Sequence, residues 1–277
     1  FCGWTNYEKD DFDWLLNTGR TGSSSTGPEH DVSNNKTGYY ALIEGSWPRQ
    51  PGHVARLHSP PLTGIRCMRF YYSMYGYGIG DLRVFLVEGK NIHFLWGRYR
   101  DQGQGWRKSN VTVYGDKGYV VAFFGRRGKA YTSDMAIDNI TFVSGTCDGT
   151  CDFDGGWCEW TNVLLDDQFD WQLKGGMTGT ADTGPEKDHT GFNVSFTGKY
   201  IYIESSQPAQ RGQRAQILGP RLCGEMCMQF YYHMYGHQIG TLNIYKRIGL
   251  KNLDRIWTLS GEQGQDWNEA LISINGN

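Results

Sequence analysis

The clearest alternation of apolar and polar positions runs through Cys67 to Gly80, CMRFYYSMYGYGIG. There Met68, Phe70, Tyr72 and Met74 alternate with Arg69, Tyr71, Ser73 and Tyr75. A period of two is that of a β-strand with one buried face. The chain then repeats itself: Cys227 to Gly240, CMQFYYHMYGHQIG, matches ten of the fourteen positions at an offset of 160 residues. A repeat at that distance marks a domain duplication and supplies an internal comparison. The second copy keeps Met228, Phe230, Tyr232 and Met234 on one face and changes the other at Gln229 and His233. The unchanged face is the one predicted to be buried.

Other short apolar runs fit the same reading. Tyr39 to Glu44 (YYALIE) and Lys199 to Glu204 (KYIYIE) are predicted strands in matching places. Leu82 to Glu88 and Asn91 to Arg98 are joined by Gly89-Lys90, a two-residue hairpin connection. Trp106 to Val113, Tyr119 to Phe124 and Ala136 to Phe142 supply further strands of the first copy. The turns at Thr26-Gly27-Pro28-Glu29 and Thr183-Gly184-Pro185-Glu186 are loop chemistry. With no heptads and no long helical period, the pattern predicts an all-β protein of two jelly-roll β-sandwich domains in tandem. The expected domains are 1–147 and 148–277, the second opened by Asp148-Gly149-Thr150. So short a linker predicts a semi-rigid tandem.

At 277 residues the chain is long enough for two independent cores. A net charge of −2 with interspersed signs gives no electrostatic case for nucleic acid. No apolar run approaches the length of a membrane-spanning helix, so no membrane insertion by this segment is expected.

Seven cysteines occur, and none forms a CxxC pair, which argues against zinc ribbons and thioredoxin-type sites. Cys151 and Cys158 are expected to close a small disulfide loop. Cys67 and Cys147, the remaining cysteines of the first domain beside Cys2, are expected to tie the repeated strand to the last strand. Cys2 matches Cys158, so its partner is expected before Phe1, and by the same offset the partner of Cys227 is expected beyond Asn277. These expectations describe a fragment lacking an N-terminal strand in one domain and C-terminal strands in the other, or one completed by a neighbouring molecule. Cys223 stands where the first copy has Thr63, open either to Cys227 or to an intermolecular bond. Sequons for N-glycosylation stand at Asn35, Asn110, Asn139 and Asn193. Together with the cysteines they point to an oxidising, secretory environment.

Catalytic signatures are missing from the sequence: there is no HExxH and no GxSxG. No histidine holds the same motif position in both copies; His233 faces Ser73 in the alignment and His189 faces Val32. Gly76-Tyr77-Gly78-Ile79-Gly80 is superficially a phosphate loop, but the second copy has Gln238 at the middle position, and a turn is the better reading. Trp4, Trp14, Trp160 and Trp171 repeat in pairs, as core residues at the sandwich edge would, more than as a carbohydrate platform. Asp10, Asp11 and Asp13 are matched by Asp166, Asp167 and Asp170, and Asp31 by Asp188. Loop carboxylates of this kind suit a hard cation such as calcium, or are simply solvated turn aspartates.

Taken in order, CDFD and CEWTN (Cys151 to Asn162), FDW (Phe169 to Trp171), TGPEKDHT (Thr183 to Thr190), GKYIYIE (Gly198 to Glu204) and CMQFYYHMYG (Cys227 to Gly236) resemble the MAM domain family. Ala136 to Ile140, AIDNI, is similar to that family's final strand. The first copy departs from the pattern at Val32-Ser33, where the second has His189-Thr190. The resemblance implies a jelly-roll sandwich with two disulfides, placed extracellularly as a secreted protein or an ectodomain. It also implies a structural metal ion, calcium, held by Asp154 and Asp188 in the second domain and by Asp31 and Asp138 in the first. The function it implies is a non-enzymatic interaction module for cell or matrix adhesion or assembly within a larger protein. Its partners would be proteins, homophilic or other modules of the same chain. The alternative is an accessory region that positions or oligomerises a secreted or membrane-bound enzyme such as a protease. A carbohydrate-binding module is a third reading.

Overall fold

The structure is a computed structural model in which all residues are described except 116, 164–165, 191–197, 249–251 and 276–277. Every strand and helix position among the described residues is β. The chain forms two compact units. One holds Phe1–Cys151 with Trp157–Thr161 and Leu218–Arg221; the other holds Asp152–Gly156, Asn162–Ile217 and Leu222–Asn277.

The first unit contains β1 (Thr5–Asn6), β2 (Leu15–Thr18), β3 (Tyr39–Ile43), β4 (Val54–His58) and β5 (Arg66–Met74). It continues with β6 (Asp81–Glu88), β7 (Asn91–Tyr99), β8 (Arg107–Val113), β9 (Val120–Arg126) and β10 (Met135–Ser144). They build two antiparallel five-stranded sheets, ordered β1-β4-β9-β6-β7 and β2-β3-β10-β5-β8. Late strands sit between early ones, β9 between β4 and β6 and β10 between β3 and β5, as a jelly roll requires. The repeated strand is β5, paired on both sides, and its Met68, Phe70, Tyr72 and Met74 are all buried between the sheets. Phe70 meets Trp96 at 5.1 Å and Phe123 at 5.0 Å, both edge to face, which is the favoured aromatic geometry. The predicted hairpin forms as β6–β7, with Glu88 opposite Asn91. Cys67 and Cys147 are bonded across a separation of 80 residues, clamping β5 to the segment after β10.

The later part of the chain repeats these parts with β11 (Thr161–Asn162), β12 (Gln172–Gly175), β13 (Lys199–Tyr202) and β14 (Ile217–Leu218). Then come β15 (Met226–Tyr232), β16 (Thr241–Ile248), β17 (Asn252–Ser260) and β18 (Asn268–Ile274). They pair as β11-β14, β12-β13, β15-β18 and β16-β17. Phe230 meets Trp257 at 5.3 Å, again edge to face, reproducing the Phe70–Trp96 contact. The β6–β7 ladder shifts register between Val84 and Phe85, and the β16–β17 ladder shifts at the equivalent step, between Ile244 and Tyr245. β15 has one ladder partner where β5 has two, and its Met-Phe-Tyr face is correspondingly half-buried, with Met234 fully buried. Cys151 and Cys158 are bonded as expected, while Cys2, Cys223 and Cys227 are exposed and bonded to no cysteine among the described residues.

The repeated tryptophans are structural. Trp14 is buried, and Asn6 holds its peptide from both sides, donating to Trp14 O and accepting from Trp14 N at 3.0 Å each. Asn162 clasps Trp171 in the same way, at 2.9 and 3.0 Å. Each indole then donates to a backbone carbonyl, Trp14 to Ala55 of β4 and Trp171 to Ala215 shortly before β14. Trp4 packs half-buried on Phe123 and Phe142, and Trp160 lies against Gly219.

Candidate functional site

The loop before β3 curls around one carboxylate. Asp31 accepts the backbone N–H of Asn35 at 2.7 Å and the Ser33 hydroxyl at 2.9 and 2.8 Å. The Asn35 N–H is the main reason this carboxyl is held below the usual range, with Ser33 adding to it. A Cβ at Gly38 would overlap the Asp31 carboxylate, so any side chain there would have to displace it. Asp138 reaches the same loop from β10: its carboxylate accepts from Val32 N at 2.9 Å and from Asn139 N at 2.7 Å. Each of the four oxygens of Asp31 and Asp138 therefore accepts at least one hydrogen bond.

The second unit keeps the plan with one difference. Asp188 lies under Gly198, whose Cβ would again overlap the carboxylate, and accepts from Thr190 through both N–H and hydroxyl. Its second oxygen, Oδ1, is buried with no hydrogen-bond partner among the described residues. Asp154 stands next to this glycine, accepting from Lys199 N at 2.6 Å. Among the described residues, no three His, Cys, Asp or Glu come together to hold a metal ion.

The N-terminal aspartates are strand caps, and their pairing between repeats differs from the one the sequence suggested. Asp10 accepts from Arg56 N at 2.6 Å and Asp11 from Val54 N at 2.8 Å. In the second unit Asp167 accepts from Gln216 N at 2.6 Å, and Gln168 accepts from Arg214 N at 3.1 Å. Asp167 thus does the work of Asp10, and Gln168 that of Asp11. One extra residue before Trp171 shifts the correspondence that the matching Asp-Asp letters implied.

Two buried carboxylates carried no sequence signal. Asp134 accepts from Gly45 N at 2.8 Å, and burial, joined by the charge of Glu44, pushes its pKa up to about 7. Glu159 belongs to the first compact unit. It accepts from Asn110 Nδ2 at 3.3 Å and Thr112 N at 3.2 Å, and burial pushes it to about 7 as well.

Of the sequons, Asn35 and Asn139 are exposed, Asn110 is half-buried, and Asn193 lies outside the described residues. The Gly76–Gly80 segment is a turn, with Gly76 at a φ of 143° that favours glycine. Beside it the first unit exposes three large aromatics: Tyr77 at 99%, Trp47 at 89% and Tyr131 at 57%. Their loops are cross-linked, since Gly78 N donates to Thr132 O at 3.2 Å and Arg127 Nε donates to Gly45 O at 2.9 Å.

Comparison with known proteins adds the following. The family model described as MAM domain, meprin/A5/mu, matches residues 1–148 and again 151–277. The chain is 30% identical to zonadhesin of Mus musculus over 295 residues, covering 100% of this chain and 5% of that protein. It is 31% identical to MAM domain-containing protein 2 of Homo sapiens over 258 residues, 86% of this chain and 37% of that one. It is 36% identical to MAM domain-containing glycosylphosphatidylinositol anchor protein 1 of Rattus norvegicus over 157 residues, 53% of this chain and 16% of that one. In each case the chain spans well under half the relative's length.

Proposed function

Because the chain belongs to the MAM domain family, with one copy of the domain in each half, we propose that it is a non-enzymatic extracellular module that mediates adhesion or assembly through protein contacts. The observation that carries this reading is the exposure of large aromatics on hydrogen-bonded loops of the first unit. Trp47 and Tyr77 are almost fully exposed on loops whose backbones are held by Gly45, Gly78, Arg127 and Thr132. The second repeat retains the Pro48 and Gly76 positions as Pro208 and Gly236, yet has Gln207 and His237 where these aromatics stand. The fold therefore does not need them. Large aromatics on a fixed frame are the residues that anchor protein interfaces.

Sedimentation of the full-length protein tests the reading through homophilic contact. Self-association is expected, weakened about tenfold or more by Trp47→Ala with Tyr77→Ala, a loss typical of interface anchors, while thermal unfolding stays unchanged. A protein that is strictly monomeric at high concentration, or a variant that associates like wild type, would overturn it.

A further inference from the structure

We propose that Asn35 and Asn139 carry N-linked glycans, whereas Asn110, despite its sequon, stays unmodified and serves as an internal clasp for Glu159. The three sequons are equivalent as letters and differ in surroundings. Asn35 is exposed in the loop before β3; its Oδ1 accepts both the N–H and the hydroxyl of Thr37, at 3.0 and 2.9 Å, and its Nδ2 makes no hydrogen bond among the described residues. Asn139 sits where β10 breaks register between Asp138 and Thr141, and the bulge turns it out to solvent at a φ of 48°. Its side chain also makes no hydrogen bond among the described residues, and Thr141, which completes the sequon, is exposed.

Asn110 has the opposite setting. Its Nδ2 is already committed to Glu159, a residue only 5% exposed. Thr112, which completes that sequon, is 1% exposed, and its hydroxyl accepts from Cys147 N at 3.0 Å beside the Cys67–Cys147 bond. A sugar on Asn110 would take the space that Glu159 fills and would strand a buried carboxylate. Sequence adds a parallel: the second repeat also places a sequon, Asn193, between its aspartate and its glycine, Asp188 and Gly198, although that segment is longer.

The modification joins Nδ2 to the anomeric C1 of an oligosaccharide supplied on a lipid diphosphate. The C1–O bond to the diphosphate breaks, the lipid diphosphate leaves with the electron pair, and the amide gives up one proton. The inference rests on the extracellular reading only in requiring export through a glycosylating route.

Site occupancy on the full-length protein secreted from animal cells, read by mass spectrometry after enzymatic deglycosylation in heavy-oxygen water, tests it. Label is expected on the Asn35 and Asn139 peptides and not on the Asn110 peptide. Asn35→Gln and Asn139→Gln should each raise electrophoretic mobility by one glycan, and Asn110→Gln should leave it unchanged. Secretion with Asn110 labelled as heavily as the others, or with Asn35 or Asn139 unlabelled, overturns this inference alone. Retention inside the cell with no glycan anywhere overturns the extracellular reading with it.

Discussion

Asp134 accepts the backbone N–H of Gly45 at 2.8 Å from a position with no solvent exposure. The neutral donors of Gly45 and Thr21 do not replace the water that a buried ionised carboxylate loses, so the folded state favours the protonated acid. The pKa of about 7 in the fold lies above the ordinary value of 3.8, and the folded protein therefore holds a proton that the unfolded chain has released. Stability falls wherever the native state binds more protons, here as pH rises from about 4 to about 7. Chemical denaturation at pH 5 and pH 8 should show the first unit less stable at pH 8. Asp134→Asn should reduce that difference, leaving the part that Glu159 contributes in the same unit, and an unaltered pH profile in the variant would sink the assignment.

Glycine beneath the shared aspartate makes a separate demand. Gly38 and Gly198 each lie so close to a carboxylate that a methyl group could enter only by displacing it. Gly38→Ala and Gly198→Ala should each destabilise their own unit by about 1–3 kcal/mol, the usual cost of overpacking. Denaturant midpoints check this, and a neutral Gly38→Ala would mean that Asp31 moves aside freely.

The Cys67–Cys147 bond closes a loop of 80 residues. In the chain-entropy account such a cross-link stabilises by about 4 kcal/mol. Replacing both cysteines with alanine should lower the first unit's denaturant midpoint accordingly, with the second unit's transition unmoved. A loss shared equally by both units would contradict the assignment of this clamp to the first.

Calcium tests the aspartate pairs. In the first unit each oxygen of Asp31 and Asp138 accepts a hydrogen bond, whereas in the second Asp188 keeps Oδ1 buried and unpartnered among the described residues. We propose a structural calcium ion in the second unit, with Asp188 and Asp154 as its carboxylate ligands. Added calcium should raise the thermal midpoint of the second unit relative to chelator. A rise that survives Asp188→Asn would place the ion elsewhere.

How much of this was legible depended on whether the deciding force was local. Met68, Phe70, Tyr72 and Met74 announce a buried strand face because burial on a pleated strand recurs at every second residue. The β6–β7 hairpin is equally local, and with Cys2 matched to Cys158 the two other cysteines of the first domain had little choice of partner. Asp134 and Glu159 leave no such trace. Their burial follows from Gly45, Thr112 and Asn110, which lie 47 to 89 residues away along the chain. The correspondence of Asp10 with Asp167 was hidden for another reason. Identical letters align Asp-Asp with Asp-Asp, while the backbone counts from Trp14 and Trp171. The sequons at Asn35, Asn110 and Asn139 differ only in what stands beside them.

The register shift at Val84–Phe85 recurs at Ile244–Tyr245, at the same step of the equivalent hairpin. A bulge fixes which residues oppose each other, because a slip of one position would turn every side chain to the wrong face. Each hairpin therefore carries its own alignment with it. Trading β6–β7 for β16–β17 would exchange one self-indexing cassette for another. Trp257 would arrive where Trp96 had been, ready to meet the edge of Phe70.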